Sequence, residues 1–167
     1  MSVSTLTFAR SHTAVFVADN MRNQLVRIVL AAGLSPQDLV DDWKTIGIAA
    51  RTWLESGHLQ QVILEFFKPG SDRLELRWDF DVDYAGSGAD DDMWIDREHL
   101  RRTILKAGLP PAGCKYRVVL THAPGAAEVS GMSSTSLLST AGFASRAAGT
   151  SIATSDIMAG LRYWRPQ

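Results

Sequence analysis

Four aspartates offer the most specific chemistry in this chain. Asp79, Asp81 and Asp83 stand at alternate positions, and Asp90 falls at the twelfth position counted from Asp79. That is the ligand spacing of a calcium-binding helix–loop–helix. Such a loop needs Gly at its sixth position for a sharp turn, and the residue there is Tyr84. A solvated strand face accounts for the alternating aspartates better than a metal site does. Like charges along one strand also discourage edge-to-edge pairing. No metal and no cofactor is therefore expected. A small metal-dependent hydrolase using Asp79, Asp81, Asp83 and Asp90 stands as the alternative function.

Other chemistries find less support. The histidines are His12, His58, His99 and His122, and no two have the spacing of a zinc finger or a zincin helix. His122, on an apolar face, reads as a satisfied buried histidine. One cysteine, Cys114, excludes an internal disulfide framework and a Cys-rich zinc site. There is no phosphate-binding glycine loop, and Gly86-Ser87-Gly88 precedes an acidic run that would repel phosphate. The serines from Ser133 to Ser139 lack a nucleophile-elbow pattern. No catalytic group stands out, and the chain is not expected to be an enzyme.

The elements that would position these residues are legible in the hydrophobic period. Ala14, Val17, Ala18, Met21, Leu25, Ile28 and Val29 share one helical face, predicting a helix from Ser11 or Thr13 to Ala32 that Gly33 stops. Ser35 then caps a second helix with Pro36 in its first turn. Its apolar stripe includes Leu39, Trp43, Ile46, Ala50, Trp53 and Leu54, and Gly57 ends it. Beyond Gly57 the period drops from 3.6 to 2. His58 to Lys68 is a strand, and Pro69-Gly70-Ser71-Asp72 is a turn. From Arg73 to Tyr84 every even position is apolar or aromatic and every odd one charged. That alternation predicts a core of Leu74, Leu76, Trp78, Phe80, Val82 and Tyr84 opposite a wet face.

After a Gly-rich acidic loop, Asp92 is expected to cap a third helix, Met93 to Ala107, with Leu100, Ile104 and Leu105 inward. Cys114 to His122 is a further strand. From Ala123 to Ser155 most positions are Gly, Ala, Ser or Thr. This stretch reads as a pliable segment or a poorly ordered surface excursion. Strand character returns from Ile157 to Trp164.

The chain has 167 residues, 46% hydrophobic and 21% charged, with a net charge of −1. That length predicts one domain, residues 1–167. The charge balance argues against direct nucleic-acid binding, which favours a basic excess. No apolar run approaches the ~20 residues that span a bilayer, and Met1 to Arg10 lacks a signal-peptide pattern. No membrane association and a cytoplasmic location are expected. The fold class is α+β, with three helices packed on a small antiparallel sheet.

This order of elements resembles the HORMA domain, and specifically the bacterial HORMA proteins encoded with cGAS/DncV-like nucleotidyltransferases in CBASS antiphage operons. The resemblance is carried by Asn20-Met21-Arg22, by Leu54-Glu55-Ser56-Gly57-His58-Leu59, and by Val62 to Phe67 with Lys68-Pro69-Gly70. The aromatic alternating strand that follows also matches. The likeness is one of pattern and order, since the family has no short invariant catalytic motif.

The resemblance implies a conformational-switch adaptor for antiphage second-messenger signalling. Its core would be about residues 11–122, and a mobile C-terminal "safety belt" would be about 123–167. In the family's closed state the belt wraps a partner's closure-motif peptide, which pairs with the sheet edge. Mapped here, the peptide would lie along Lys115, Tyr116, Arg117, Val118, Val119, Leu120 and Thr121. The belt's end would pair beside Arg73 to Tyr84, with Leu161, Tyr163 and Trp164 as its latch. The implied partners are a closure-motif peptide and the nucleotidyltransferase that the closed form activates. An AAA+ remodelling ATPase would engage the N-terminus, where Ser2 to Phe8 read as strand-like and displaceable, and a second HORMA protein is a further candidate. A purely structural subunit that buries Trp164 in a partner is a third reading.

Overall fold

The computed structural model describes residues 3–84 and 94–167, with side chains from Arg10 onward. Asp90, Asp92 and the glycines of the acidic loop lie outside the described residues. The elements are α1 (Val3–Ala31), α2 (Gln37–Ser56), β1 (Leu59–Lys68), β2 (Arg73–Asp83), β3 (Trp94–Ile95), α3 (Arg97–Ala107), β4 (Lys115–His122), β5 (Phe143–Ala153) and β6 (Met158–Pro166). The six strands form one antiparallel sheet in the order β3-β5-β6-β2-β1-β4.

One face of the sheet carries the core. The apolar stripes of α1 and α2 and Leu100 of α3 pack against Val62, Leu64 and Phe66 of β1 and against Leu76, Trp78 and Phe80 of β2. Residues paired across antiparallel strands share a face. Val118 and Leu120 of β4, opposite Leu64 and Val62, therefore join this helix-covered face. Gly57 closes α2 in the left-handed conformation, φ 77°, and its N–H reaches the carbonyl of Leu54. A side chain there would be strained, which is why glycine ends the helix.

Several expectations need correction. α1 begins at Val3, so the segment from Val3 to Phe8 is helical and not strand-like. Thr13 is internal to α1, and its hydroxyl bonds back to the carbonyl of Arg10. The residue flanking α2 is Pro36, whose ring offers no cap; Ser35, one position earlier, accepts the N–H of Gln37. α3 is capped by Asp96, which accepts the N–H of His99 at 2.8 Å. Trp94 and Ile95, expected as helix, instead pair with Ala153 and Ile152. Leu105 points outward and is 75% exposed. His122 is exposed, with its ring 4.5 Å from that of Trp53.

The wet face of β2 is the largest correction. Arg77 is 7% exposed and Asp79 is fully buried, as are Ile63 and Glu65 of β1. The face opposite the helices is thus covered too. β2 is also not an edge: β1 and β6 flank it. Its aspartates therefore do not guard a free edge. Finally, the Ala/Ser/Thr-rich segment is not a structureless excursion throughout, because β5 occupies eleven residues of it and pairs with β6.

Candidate functional site

β4 ends the sheet. Its register with β1 runs from Leu59↔His122 to Phe67↔Lys115, and among the described residues no strand pairs with its other side. An unpaired strand presents a row of backbone donors and acceptors ready to accept another extended chain.

The segment that follows β4 bends around this edge. It starts on the helix-covered side, where the N–H of Ala123 reaches the carbonyl of His58 and Trp53 Nε1 donates to the carbonyl of Ala127 at 2.7 Å. Ala126, Val129 and Met132 lean on the core. At Gly131, φ is 89° and an added Cβ would lie 2.9 Å from the Thr45 methyl. Only glycine lets the backbone pass α2 this closely. The segment then reaches the opposite face. Arg117 donates from Nη1 to Thr135 Oγ1 at 3.3 Å and from Nη2 to the carbonyl of Ser136. The N–H of Leu138 donates to Glu65 Oε2 at 2.8 Å, while Arg117 Nε holds Glu65 Oε1 at 2.7 Å.

Between β4 and this segment lies a groove of about 1080 Å³. Val118 to His122 form one wall, residues 126–135 form the other, and Trp53 also lines it. Val118, Leu120, Val129 and Met132 make the helix-facing side apolar. Thr121, Ser133, Ser134 and Thr135 give hydroxyls elsewhere. The groove has the shape and chemistry for an extended peptide: main-chain bonds along β4 and alternating pockets for side chains.

Of the residues the sequence nominated for peptide contact, Val118, Val119, Leu120 and Thr121 line the groove, and Lys115 and Tyr116 do not. Tyr116 instead braces α2. Its hydroxyl donates to the carbonyl of Ser35 and accepts the N–H of Leu39, and burial raises its pKa. Arg117 is engaged with Glu65 and the crossing segment. Val119 is 8% exposed, so it is not an open outward position.

The C-terminal hairpin lies on the far side of β2 from β1. β6 pairs with β2 from Arg77↔Trp164 to Asp83↔Met158. Leu161 and Tyr163 enter the helix-covered core, with the Tyr163 ring 5.6 Å from that of Trp78. Trp164 faces the other way. Its Nε1 donates to Asp79 Oδ2 at 2.9 Å, and the Arg77 guanidinium lies 5.2 Å from the centre of its ring. Arg77 also holds both oxygens of Asp79. Burial nevertheless raises the Asp79 pKa, outweighing the opposing pull of Arg77 and Trp164.

Asp79, Asp81 and Asp83 are thus occupied. Asp81 accepts from Gln61 and Arg162, Asp83 has its own interaction, and Asp90 lies outside the described residues. Among the described residues no group of three or more His, Cys, Asp or Glu is arranged to hold a metal ion. No described helix is long and apolar enough to cross a membrane.

Sequence reasoning missed Trp53, Glu65 and the Arg77–Asp79 pair as elements of this arrangement. A signal existed for the two acids. Glu65 is a lone charge inside Val62-Ile63-Leu64-Glu65-Phe66-Phe67, and Asp79 sits between Trp78 and Phe80.

A family model described as Bacterial HORMA domain 2 matches residues 1–167. No curated protein sequence matches the chain. Among solved structures, a chain of the crystal structure of the mitotic checkpoint complex is similar at TM-score 0.70 and 11% identity, covering 93% of this chain and 99% of that one. C. elegans HTP-2 bound to the HIM-3 closure motif is similar at TM-score 0.52 and 16% identity, covering 79% and 72%. The E. coli MS115-1 CdnC:HORMA-deltaN complex contains a similar chain at TM-score 0.55 and 17% identity, covering 96% and 89%.

Proposed function

The chain belongs to the bacterial HORMA domain 2 family, and from that premise we propose that it is a peptide-capturing switch that activates a cGAS/DncV-like nucleotidyltransferase. One observation carries the reading. β6 is seated beside β2 while the edge of β4 stands free under residues 123–142. In the family pattern stated above, that is the closed arrangement, with the belt wrapped and the peptide's place open. A closure-motif peptide then adds a strand to β4, gaining affinity from backbone bonds and selectivity from the groove's two faces.

Neighbours support the partner assignments. HTP-2 is bound to a closure motif, and the E. coli HORMA protein is in complex with CdnC. By this reading the closed chain, with peptide captured, docks on a CdnC-like enzyme and switches on synthesis of a cyclic oligonucleotide messenger in the cytoplasm. The chain itself performs no catalysis. Resetting falls to an AAA+ ATPase that engages the N-terminus. Arg10 of α1 pairs with Asp156, between β5 and β6, at 2.5 Å and lies over the Tyr84 ring. Pulling on α1 would therefore strain the hairpin that defines the closed form.

The test is reconstitution. The chain is mixed with the nucleotidyltransferase encoded beside it, with and without peptides selected against the chain, and oligonucleotide synthesis is measured. Synthesis that requires both chain and peptide supports the reading. Synthesis unaffected by the chain refutes it.

A further inference from the structure

We propose that Glu65 and Arg117 are the positioning residues that clasp the crossing segment over the sheet, and so fix the second wall of the groove. The proposal rests on the reading of the groove as a peptide site, but the clasp can be tested with no peptide present.

Glu65 is fully buried, and both its oxygens are used, one by Arg117 Nε and the other by the N–H of Leu138. The remaining Arg117 nitrogens reach Thr135 and Ser136. One strand-to-strand ion pair therefore holds the segment at three points, Thr135, Ser136 and Leu138. Groups bonded to a buried charge are held more strongly than neutral pairs, because the charge has no water to fall back on. Among the described residues, the comparable side-chain anchor on the helix-covered side is the neutral bond from Trp53 to Ala127. The groove wall lies between these two anchors. Its outer end is fixed by charge and its inner end by one indole.

The geometry separates the clasp from fold stability. A buried ion pair replaced on both sides by apolar residues often leaves a core as stable as before, whereas removing one partner strands a charge. The informative variant is thus the double substitution Glu65→Leu/Arg117→Leu. Amide hydrogen exchange is measured on the full chain. The expected result is exchange at Leu138, whose N–H Glu65 accepts, faster by tenfold or more, with the amides of β1 and β2 unchanged. Unchanged protection at Leu138 overturns the proposal. So does an acceleration spread evenly over β1 and β2, which would mean a general loss of stability.

Arg117→Lys is the second variant, for use if the double variant fails to fold. Lys retains a charge beside Glu65 but lacks the fork that reaches Thr135 and Ser136 together. Exchange at Leu138 should rise several-fold, and wild-type protection in this variant would also overturn the clasp. Peptide binding is read separately, by titrating the wild-type chain with the selected peptides of the reconstitution above. A chain that fails to bind peptide yet shows the exchange effect would refute the peptide site and leave the clasp standing.

Discussion

Trp164 Nε1 and the buried carboxylate of Asp79 lie 2.9 Å apart, so the last strand is bonded to a charge in the centre of the sheet. Asp79 is fully buried, and Arg77 grips it from the same strand. The relationship joins the end of the chain to β2, on the face away from the helices. Replacing Trp164 by Phe keeps most of the ring but deletes the donor. The variant should lose about 1.5–3 kcal/mol, the range for a hydrogen bond to a charged group. Urea denaturation checks this, and an unchanged midpoint would show that the bond contributes nothing.

Asp79 also gives a pH prediction. Its folded pKa is raised above the ordinary carboxylate value, chiefly by burial. The sign follows from linkage: the folded state holds the proton more tightly than the unfolded chain. The stability this group contributes is therefore full below the unfolded value and falls as pH rises through the folded value. Asp79→Asn removes that titration. The stability difference, wild type minus variant, should decline from acid pH upward and then level off. A difference that grows with pH would contradict the stated direction.

The two faces of β2 should respond differently. Trp78 is 1% exposed in the main core, and Trp78→Ala should cost about 3–5 kcal/mol. The Asp81 side chain is 40% exposed where it meets Arg162, and Asp81→Ala should cost under about 1 kcal/mol, as for other surface pairs. Comparable losses in thermal melts would show that the strand phase is wrong.

Gly131 tests the path of the segment around β4. Its φ of 89° and the 2.9 Å approach to Thr45 leave no room for a side chain. Gly131→Val should displace residues 126–132 from α2, costing about 1 kcal/mol or more through an incompatible backbone. The Trp53–Ala127 bond would loosen with it, visible as a shift in indole fluorescence. Unchanged fluorescence and stability would mean that the segment does not need this close passage.

Legibility in the sequence followed the size of the side chains. The hairpin of β1 and β2 was readable because bulky residues alternate and a turn separates them. α2 was readable from its stripe and Gly57. Where a second layer covers the sheet, alternation misled. Arg77 and Asp79 look wet in one dimension and are buried because β6 carries Trp164 over them. β5 was invisible because Ala144, Ala147 and Thr150 carry no strong period, and its strand form comes from pairing with β6. The groove was only half legible. Val118 to Thr121 could be placed on an edge, but the Glu65–Arg117 bond joins β1 to β4, and Leu138 comes from far along the chain. The burial of Ile152, Ile157, Leu161 and Tyr163 also changes one expectation. Residues 123–167 supply part of the core, so a cut before Ala123 would strip packing from the helices as well as the belt.

Peptide capture along β4 is the central claim, and exchange mapping of a selected binder tests it most directly. A random peptide library is displayed against the folded chain, and the strongest binder is mapped by amide hydrogen exchange. The account predicts slower exchange in β4, residues 115–122, and in the opposite wall, residues 126–135, with α3 and β3 unaffected. A binder that protects another surface while β4 exchanges at its free rate would contradict it, as would a library that yields no binder.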